Sequence, residues 1–556
     1  MNLICTLKQQ YMQKQWWKES VIYQIYPRSF KDSNGDGIGD LRGIIGKLDY
    51  LKELGVDIIW LSPIYESPND DNGYDISDYY NIMKDFGTMA DFDEMLAGIH
   101  ERGMRLLMDL VVNHTSDEHH WYQEARKSPD SPYRDYYFFR PEPPNNWQSI
   151  FGGPAWDYDE VAGAYYLHLF TKKQPDLNWE NPKVRQEVYQ LMRFWLDKGV
   201  DGFRMDVIPM ISKFLDFPDG DFSDFNKVIE TLYTNGPRVH EYLQEMHDEV
   251  LQHYDIMTVG EGVGISPEQA NLYVGEQRKE LNMIFHFGHM FIDHGPGGKF
   301  DIVDFPLTTF KGVFDRWDEA IGTEGWLNIY LDNHDFPRMI SRFGNDKEYH
   351  EESAKLLAML TLTLRGTPCI YQGSEIGMTN VAFPSLEDYR DIETINAYKE
   401  YQESGKDLEE LLKIVHVQGR DNVRTPFQWD ASENGGFSNG TPWIKSNPNY
   451  TRINAQAEMA RPKGIWHFYQ QLLAWRKARP TFTYGNYQPL AKDSETLFAY
   501  LREDDSEAYY VVLNFTDTLQ KDIAMPAGDW QLVLNNYEDT TEQLRPWEGK
   551  IYQRSK

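Results

Sequence analysis

Eight short apolar runs recur along the chain, and helical patterns separate most of them. Eight alternations of strand and helix are typical of a (β/α)₈ barrel of the TIM type, in the α/β class. Periodicity alone leaves a doubly wound sheet open, but the count of eight favours the barrel. The runs cover residues 21–26, 57–62, 106–112, 202–206, 257–261, 282–287, 327–331 and 368–372.

Three carboxylates stand at the ends of these runs, namely Asp206, Glu261 and Asp335. In a parallel barrel the carboxyl ends of all strands meet on one face, so we expect these side chains to converge there. Two carboxylates that flank a bond, with a third nearby, can cleave a glycosidic linkage. The sequence therefore predicts a carbohydrate-active site on that face.

The chain has 556 residues, which predicts more than one domain. Residues 1–15 form an N-terminal extension, and the barrel occupies 16–113 and 174–480. Residues 114–173 show little periodicity, which predicts a small domain inserted after the third strand. Residues 377–461 are predicted to form a second insertion, after the eighth strand. Alternating apolar residues near the C-terminus predict an antiparallel β-domain, a β-sandwich, over 481–556.

The net charge of −32 argues against binding to nucleic acid, because such a surface repels phosphate. Cys5 and Cys369 are the only cysteines, which excludes a disulfide framework. No apolar stretch is long enough to span a membrane, and the N-terminus lacks the apolar core of a signal peptide. A cytoplasmic enzyme is favoured, with translation starting at Met1 or Met12.

The residues next to the three acids suit different roles. Arg204 precedes Asp206 by two residues and so faces the same side of the strand, where a guanidinium keeps a nucleophilic carboxylate ionised. Glycines flank Glu261, and apolar walls would favour its protonated form, as a proton donor requires. A structural Arg–Asp pair and a solvated glutamate are the alternatives. Neither His-Glu-x-x-His nor paired cysteines occur, which argues against zinc.

Four segments in order resemble the signature regions of the α-amylase family, glycoside hydrolase family 13. They are DLVVNH at 109–114, GFRMDV at 202–207, Glu261, and NHD at 333–335. The segment QPDLN at 174–178 is similar to the additional signature of the oligo-1,6-glucosidase subfamily. Further similarity lies at 16–29, 73–75 and 420–426, so that the resemblance runs from about residue 16 nearly to the C-terminus.

The resemblance implies a retaining mechanism. Asp206 would be the nucleophile, Glu261 the acid and then the base, and Asp335 would stabilise the transition state. Arg420 would pair with Asp75 and close the pocket, so that the enzyme acts from chain ends. The other residues implied in substrate binding are Tyr74, His114, Phe151, Phe170, Gln174, Arg204, Val207 and His334.

Bond preference is expected to depend on Val207, which follows the nucleophile. Relatives with valine here tend to cleave α-1,6 bonds, and one or two methyl groups are worth roughly 1–3 kcal/mol. We therefore predict an α-glucosidase acting on isomaltose and similar short oligosaccharides. The alternatives are an α-1,4-glucosidase, a sucrose isomerase or other transglucosylase, a trehalose-6-phosphate hydrolase and a non-catalytic relative.

A loop after the first strand alternates oxygen ligands with glycines, as calcium loops do. The resemblance implies structural Ca²⁺ or Mg²⁺ there, without an organic cofactor, and the alternative is a solvated acidic turn. The ligands would be Asp32, Asn34, Asp36, Asp40 and the carbonyl of Ile38.

Two segments depart from the family pattern. Ser374 stands where relatives usually have glutamate, and residues 286–293 are unusual. Both departures bear on the subsite for the leaving sugar. The expected partner is a small oligosaccharide, with neither nucleic acid nor membrane, and the protein is expected to be a monomer or a weak homo-oligomer.

Overall fold

Eight parallel strands close into one barrel in the computed structural model, which describes residues 14–521 and 523–555. Each barrel strand pairs with the strands before and after it in the chain, and the eighth pairs with the first. This confirms the predicted TIM barrel. Residues 1–13, with Cys5 and Met12, lie outside the described residues. The barrel strands are Ile22–Ile25, Ile58–Leu61, Arg105–Leu110, Gly202–Met205, Met257–Gly262, Met283–His286, Leu327–Ile329 and Thr367–Tyr371.

The barrel strands are buried on both sides, which explains why they appear in the sequence as continuous apolar runs rather than as alternating ones. One face of each strand fills the barrel interior, and the other packs against helices. Gly202 begins the fourth strand with φ +145°, and a Cβ on it would lie 1.9 Å from the main-chain oxygen of Met257. Glycine is therefore required where the fourth and fifth strands approach.

Eight helical segments surround the barrel. The helix Pro182–Asp197 shows why they form: Asn181 caps its first turn, proline opens it, and its apolar residues recur every three or four positions on the buried face. The first segment divides into two helices at Gly46-Lys47. The segments are Leu41–Ile45 with Leu48–Leu54, Met89–Glu101, Pro182–Asp197, Val239–Glu249, Pro267–Val274, Leu307–Ile321, His350–Thr363 and Ile465–Lys477.

The insertions lie among the loops that follow the strands. After the third strand come the helix His120–Ala125 and a sheet of Phe139–Arg140, Ala164–Leu167 and Trp156–Asp159. After the eighth come the helices Ile392–Ser404, Leu408–Gln418, Asp421–Arg424 and Ala455–Met459. Hairpins follow the second strand (Tyr65–Glu66 with Asp78–Ile82) and the sixth (His294–Gly295 with Gly298–Ile302). The remaining short α-helices of the described residues are Trp16–Glu19, Phe225–Val228, Met339–Phe343 and Thr481–Tyr484.

The C-terminal domain is an antiparallel sheet of five strands. The predicted β-sandwich is wrong in this respect, because its described residues form one sheet and not two stacked sheets. Arg502 ties the sheet to the barrel by donating a 2.6 Å hydrogen bond to the main-chain oxygen of Thr363, at the end of a barrel helix. The strands in spatial order are Asn486–Leu490, Leu497–Glu503, Glu507–Asn514, Gly549–Ser555 and Gln531–Asn535.

None of the helices within 14–521 and 523–555 is both long enough and apolar enough to cross a bilayer.

Candidate active site

One arginine lies at the centre of the acidic face of the barrel. The Nη1 atom of Arg204 is 2.8 Å from Asp109 Oδ1 and 2.7 Å from Asp206 Oδ1, and its Nη2 atom is 2.6 Å from Glu261 Oε2. These residues come from the third, fourth and fifth strands, which are neighbours in the barrel. The structure thus brings the predicted nucleophile and the predicted acid to the same guanidinium. Asp109, which was not among the predicted site residues, is the third carboxylate of this group.

The Arg204 cluster, defined as Arg204, Asp109, Asp206 and Glu261, is almost completely buried. Burial raises the pKa of Asp206 above its usual range, Arg204 opposes that rise, and the charge of Glu261 adds to it. Three carboxylates share one cation, so the cluster has more acidic groups than the guanidinium can neutralise. A retaining glycosidase needs one protonated and one ionised carboxyl group at this place.

Val207 connects the two predicted catalytic acids through the main chain. Its N–H donates a 2.9 Å hydrogen bond to Glu261 Oε2. Its φ is +32°, which is unusual for a β-branched residue, and such strained positions concentrate at functional sites. The side chain is buried in the same apolar cluster as Phe170. Val207 therefore positions Glu261 through its main chain, while its side chain packs in the apolar cluster.

Asp335 lies in a second cluster of charges. Its Oδ1 atom is 2.8 Å from Arg424 Nη2 and 3.3 Å from Arg420 Nη1, and its Oδ2 atom is 3.0 Å from His334 Nε2. Although burial raises the pKa of Asp335, His334, Arg420 and Arg424 together hold it well below the usual range. The side chain is 25% exposed, so the ionised carboxylate remains accessible to a ligand.

Tyr74 joins the two clusters. Its ring stacks on that of His334, with centroids 5.1 Å apart and an angle of 7° between the planes. Its hydroxyl group donates a 3.0 Å hydrogen bond to Asp109 Oδ2. All three predicted catalytic residues are therefore connected through a few side chains at one end of the barrel.

The predicted pairing of Arg420 with Asp75 is wrong. Arg420 Nη2 instead lies 3.2 Å from Asp71 Oδ1 and 2.6 Å from Asp391 Oδ1. Both oxygens of Asp75 accept main-chain N–H groups, those of Asp70 and Asp71, so this side chain shapes the loop. The physical reason is that the turn before Gly73 directs Asp71, and not Asp75, towards the arginine.

The inserted domain supplies one side of the site. His114 Nε2 is 3.1 Å from the main-chain oxygen of Tyr74 and 3.2 Å from Gln174 Nε2. Burial lowers the pKa of His114 to about 4, so the ring is neutral near pH 7 and can exchange hydrogen bonds with hydroxyl groups. The structure therefore gathers the histidine and the glutamine that the sequence proposed separately.

Two phenylalanines complete this side of the site. The rings of Phe170 and His114 have centroids 5.1 Å apart, and those of Phe170 and Phe151 are 5.6 Å apart. The guanidinium of Arg420 lies over Phe151 at 4.6 Å. Phe151 and Phe170 thus connect His114 of the inserted domain with Arg420 of the second insertion, and their part in a pocket wall stays a prediction.

Besides Asp109, sequence reasoning missed Asp71, Asp391 and Arg424. Asp391 caps the helix Ile392–Ser404, and its pKa is lowered to about 2 because Arg420 and Arg424 outweigh the effect of burial. Arg424 belonged to a segment that the resemblance included, but no role was assigned to it. A helix cap and a turn residue have no catalytic signature in one sequence, so only the fold could identify them.

The predicted metal loop has oxygen ligands only, which suits Ca²⁺ or Mg²⁺. Asp32 Oδ1 accepts hydrogen bonds from the N–H groups of Asn34 and Gly35, and Asp36 Oδ1 accepts one from Ile38. Asp40 Oδ1 caps the next helix. In the described part of the chain no three acidic, histidine or cysteine side chains converge to hold a metal. The donor chemistry therefore fits, but the three carboxylates are not gathered, and the calcium site stays a prediction.

The two departures from the family pattern lie behind the site. The hydroxyl group of Ser374 lies 3.1 Å from Asp332 Oδ2, in the loop that leads to Asp335. Asp293 forms an ion pair with Arg342 and accepts a 2.7 Å hydrogen bond from Gln418. Both positions support loops of the site without themselves contacting the three predicted catalytic residues.

Comparison with known proteins gives consistent matches. The family model described as "Alpha amylase, catalytic domain" matches residues 24–485 of this chain. The oligo-1,6-glucosidase of Parageobacillus thermoglucosidasius is 56% identical over 97% of this chain and 99% of its own. A solved trehalulose synthase variant superposes with a TM-score of 0.95 at 46% identity, covering 97% of this chain and all of its own. An isomaltulose synthase variant from Erwinia rhapontici NX5, solved with sucrose, superposes with a TM-score of 0.93 at 46% identity. The match covers 97% of this chain and 99% of the other.

Proposed function

The chain belongs to the alpha-amylase family of glycoside hydrolases, and from that membership we propose a retaining, exo-acting α-glucosidase that hydrolyses α-1,6 bonds. Its substrates are short oligosaccharides such as isomaltose, cleaved at the non-reducing end. The observation that carries the proposal is the contact of Asp206 and Glu261 with one guanidinium, at 2.7 and 2.6 Å. Two carboxyl groups on one guanidinium support the close pair that retaining enzymes need, whereas inverting enzymes need room for water between them.

The first step forms a glycosyl-enzyme bond. The Asp206 carboxylate attacks the anomeric carbon, while Glu261 donates its proton to the glycosidic oxygen as the leaving sugar departs. Arg204 compensates the charge on Asp206 before attack. As Asp206 becomes an ester, Arg204 stays in contact with Glu261, which is then ionised.

The second step reverses these roles. The Glu261 carboxylate takes a proton from water, the water oxygen attacks the anomeric carbon, and the ester bond to Asp206 breaks. Two displacements retain the anomeric configuration. Asp335, held ionised by His334, Arg420 and Arg424, stabilises the positive charge that develops on the ring in both steps.

Attack at chain ends would require that one end of the pocket be closed. Arg420 contacts Asp71, Asp335 and the ring of Phe151, and we propose that these residues form that closed end. The α-1,6 preference rests on Val207 and on the oligo-1,6-glucosidase relative. A sucrose isomerase is the second candidate, since both solved structures bear such names at 46% identity.

Product analysis tests the proposal. Isomaltose, maltose, sucrose and trehalose are supplied separately, and the anomeric form of the released glucose is followed by NMR. We expect α-glucose as first product and fastest turnover of isomaltose. Faster turnover of maltose would contradict the α-1,6 preference, and formation of a sucrose isomer from sucrose would favour the second candidate.

Calcium at the loop that holds Asp32 and Asp40 is proposed as a structural ion, with Asn34, Asp36 and Ile38 as its other ligands. It takes no part in the reaction. Titration of the chelated protein with Ca²⁺ should show one binding event and a higher Tm, and chelation that leaves Tm unchanged would remove the ion from the proposal. The cytoplasmic location and the monomeric or weakly oligomeric state stay predictions from the sequence.

A further inference from the structure

Lys299 lies in the hairpin that follows the sixth barrel strand, and no sequence motif identified it. Its side chain is 12% exposed. The Nζ atom lies 3.0 Å from the main-chain oxygen of Asp335 and 2.9 Å from Glu393 Oε2. This ammonium group thus joins three segments that are far apart in sequence: the hairpin, the loop after the seventh strand, and the second insertion.

Glu393 connects the lysine to the arginine that also holds Asp335. It stands in the first turn of the helix Ile392–Ser404, and its Oε2 atom is 3.7 Å from Arg420 Nε. The cap of the same helix, Asp391, is 2.6 Å from Arg420 Nη2. The start of this helix therefore holds two cations that contact Asp335. Lys299 contacts its main-chain oxygen, and Arg420 contacts its carboxylate.

We propose that Lys299 is a positioning residue, which fixes the main chain of Asp335 through the helix start at Asp391 and Glu393. It would thereby couple the second insertion to the sugar ring in the active site. The inference rests on the proposed function, because it needs Asp335 to act in the transition state. Lys299 itself lies behind Asp335, on the main-chain side.

The electrostatic balance supports this role. Without Lys299, the carboxylate of Glu393 keeps only the 3.7 Å contact with Arg420, and its charge is less well compensated. The ammonium group also lies 5.5 Å from the centre of the Phe336 ring, in the residue that follows Asp335. Loss of the lysine would release both the carbonyl of Asp335 and its neighbour.

Replacement of Lys299 should change mainly kcat. Interactions that strengthen only in the transition state change kcat, whereas uniform binding changes KM. For Lys299→Met we expect kcat to fall about 10- to 100-fold with KM changed less than about threefold, since a small misplacement of a catalytic group has effects of this size. Lys299→Arg, which keeps the charge and the reach, should recover most of the loss.

The experiment uses the full chain and two substrates, isomaltose and 4-nitrophenyl α-glucoside. The aryl glucoside reports on Lys299 even if the α-1,6 assignment fails, because its leaving group needs no particular linkage. Lys406→Met is the matched control, since Lys406 pairs with Glu400 at 3.0 Å on the surface. It should leave kcat unchanged.

A double-mutant cycle tests the path through Glu393. If Lys299 acts through Glu393, Lys299→Met should lower kcat by a much smaller factor in the Glu393→Gln background than in the wild type. A wild-type kcat in Lys299→Met, an equal loss in Lys299→Arg, or additive losses in the cycle would overturn the proposal. Should Lys299→Met fail to fold, Lys299→Gln with Glu393→Gln gives the same comparison, and Tm identifies a merely structural loss.

Discussion

The two charged clusters of the active site differ in the balance of their charges. In the Arg204 cluster one cation serves three carboxylates, and the pKa of Asp206 is raised by burial. Around Asp335, three cations (Arg420, Arg424 and Lys299) serve four carboxylates, those of Asp335, Asp71, Asp391 and Glu393. There burial is outweighed, and the pKa of Asp335 is held well below the usual range.

This difference matches the chemistry that each cluster would perform. The Arg204 cluster must exchange a proton during each step, so an excess of carboxylates is useful. The cluster at Asp335 must stay negative while positive charge develops on the sugar ring, so its cations fix the charge state. The number of arginines beside each group of acids therefore separates proton transfer from fixed charge stabilisation.

The largest expected effect is that of removing the nucleophile. Asp206→Asn keeps the size of the side chain but loses its charge, so kcat should fall by about four orders of magnitude or more. The fall in kcat is measured with 4-nitrophenyl α-glucoside as substrate. Asp130→Asn, at an exposed position, is the control. A rate near that of the wild type would remove Asp206 from the nucleophile role.

Arg204→Met would break the first cluster as a whole. Three buried carboxylates would lose the cation that they share, which should destabilise the fold by about 3–5 kcal/mol and abolish turnover. The loss of stability is read as a fall in Tm. The decisive comparison is Arg424→Met, which leaves Arg420 beside Asp335 and should lower Tm less. An equal fall in both variants would show that the charge balance does not distinguish the clusters.

Arg420→Met tests the second cluster through pH. Because the folded pKa of Asp391 is about 2, below its unfolded value near 3.9, this group stabilises the fold above about pH 4. That contribution, on the order of 2 kcal/mol, is lost as pH falls towards 2. The variant should therefore unfold at a higher pH than the wild type during acid titration. Unchanged acid unfolding would contradict the assigned role of Arg420.

Val207→Ala should give the smallest effect and leaves both clusters intact. The ratio of kcat/KM for isomaltose to that for maltose should fall by roughly tenfold, within the 1–3 kcal/mol that one or two methyl groups contribute. Val184→Ala in a barrel helix, where valine is also buried, is the matched control and should leave the ratio unchanged. An unchanged ratio in Val207→Ala would show that Val207 does not determine the preference for α-1,6 bonds.

The barrel could be predicted from the sequence because its strands are buried on both faces and therefore appear as apolar runs. The strands Asn486–Leu490 and Gly549–Ser555 were not predicted, since polar residues fill much of both. Without the first and last strands of the domain, the choice between one sheet and a sandwich had no physical basis.

The three acids at strand ends could likewise be found, because the fold brings all strand ends together. The partners of those acids could not, since Asp71 and Lys299 lie in a turn and a hairpin whose directions depend on tertiary packing. The incorrect pairing of Arg420 with Asp75 arose in this way: two nearby aspartates in one loop cannot be distinguished until the turn is known.

Trapping of the covalent intermediate tests the central claim most directly. The enzyme is incubated with 5-fluoro-α-glucosyl fluoride, digested, and the labelled peptide is sequenced by mass spectrometry. A fluoroglucosyl ester on Asp206, absent from Asp206→Asn and accumulating in Glu261→Gln, is the predicted result. A label on any other carboxylate, or steady hydrolysis of the reagent with Asp206 replaced, would contradict the account.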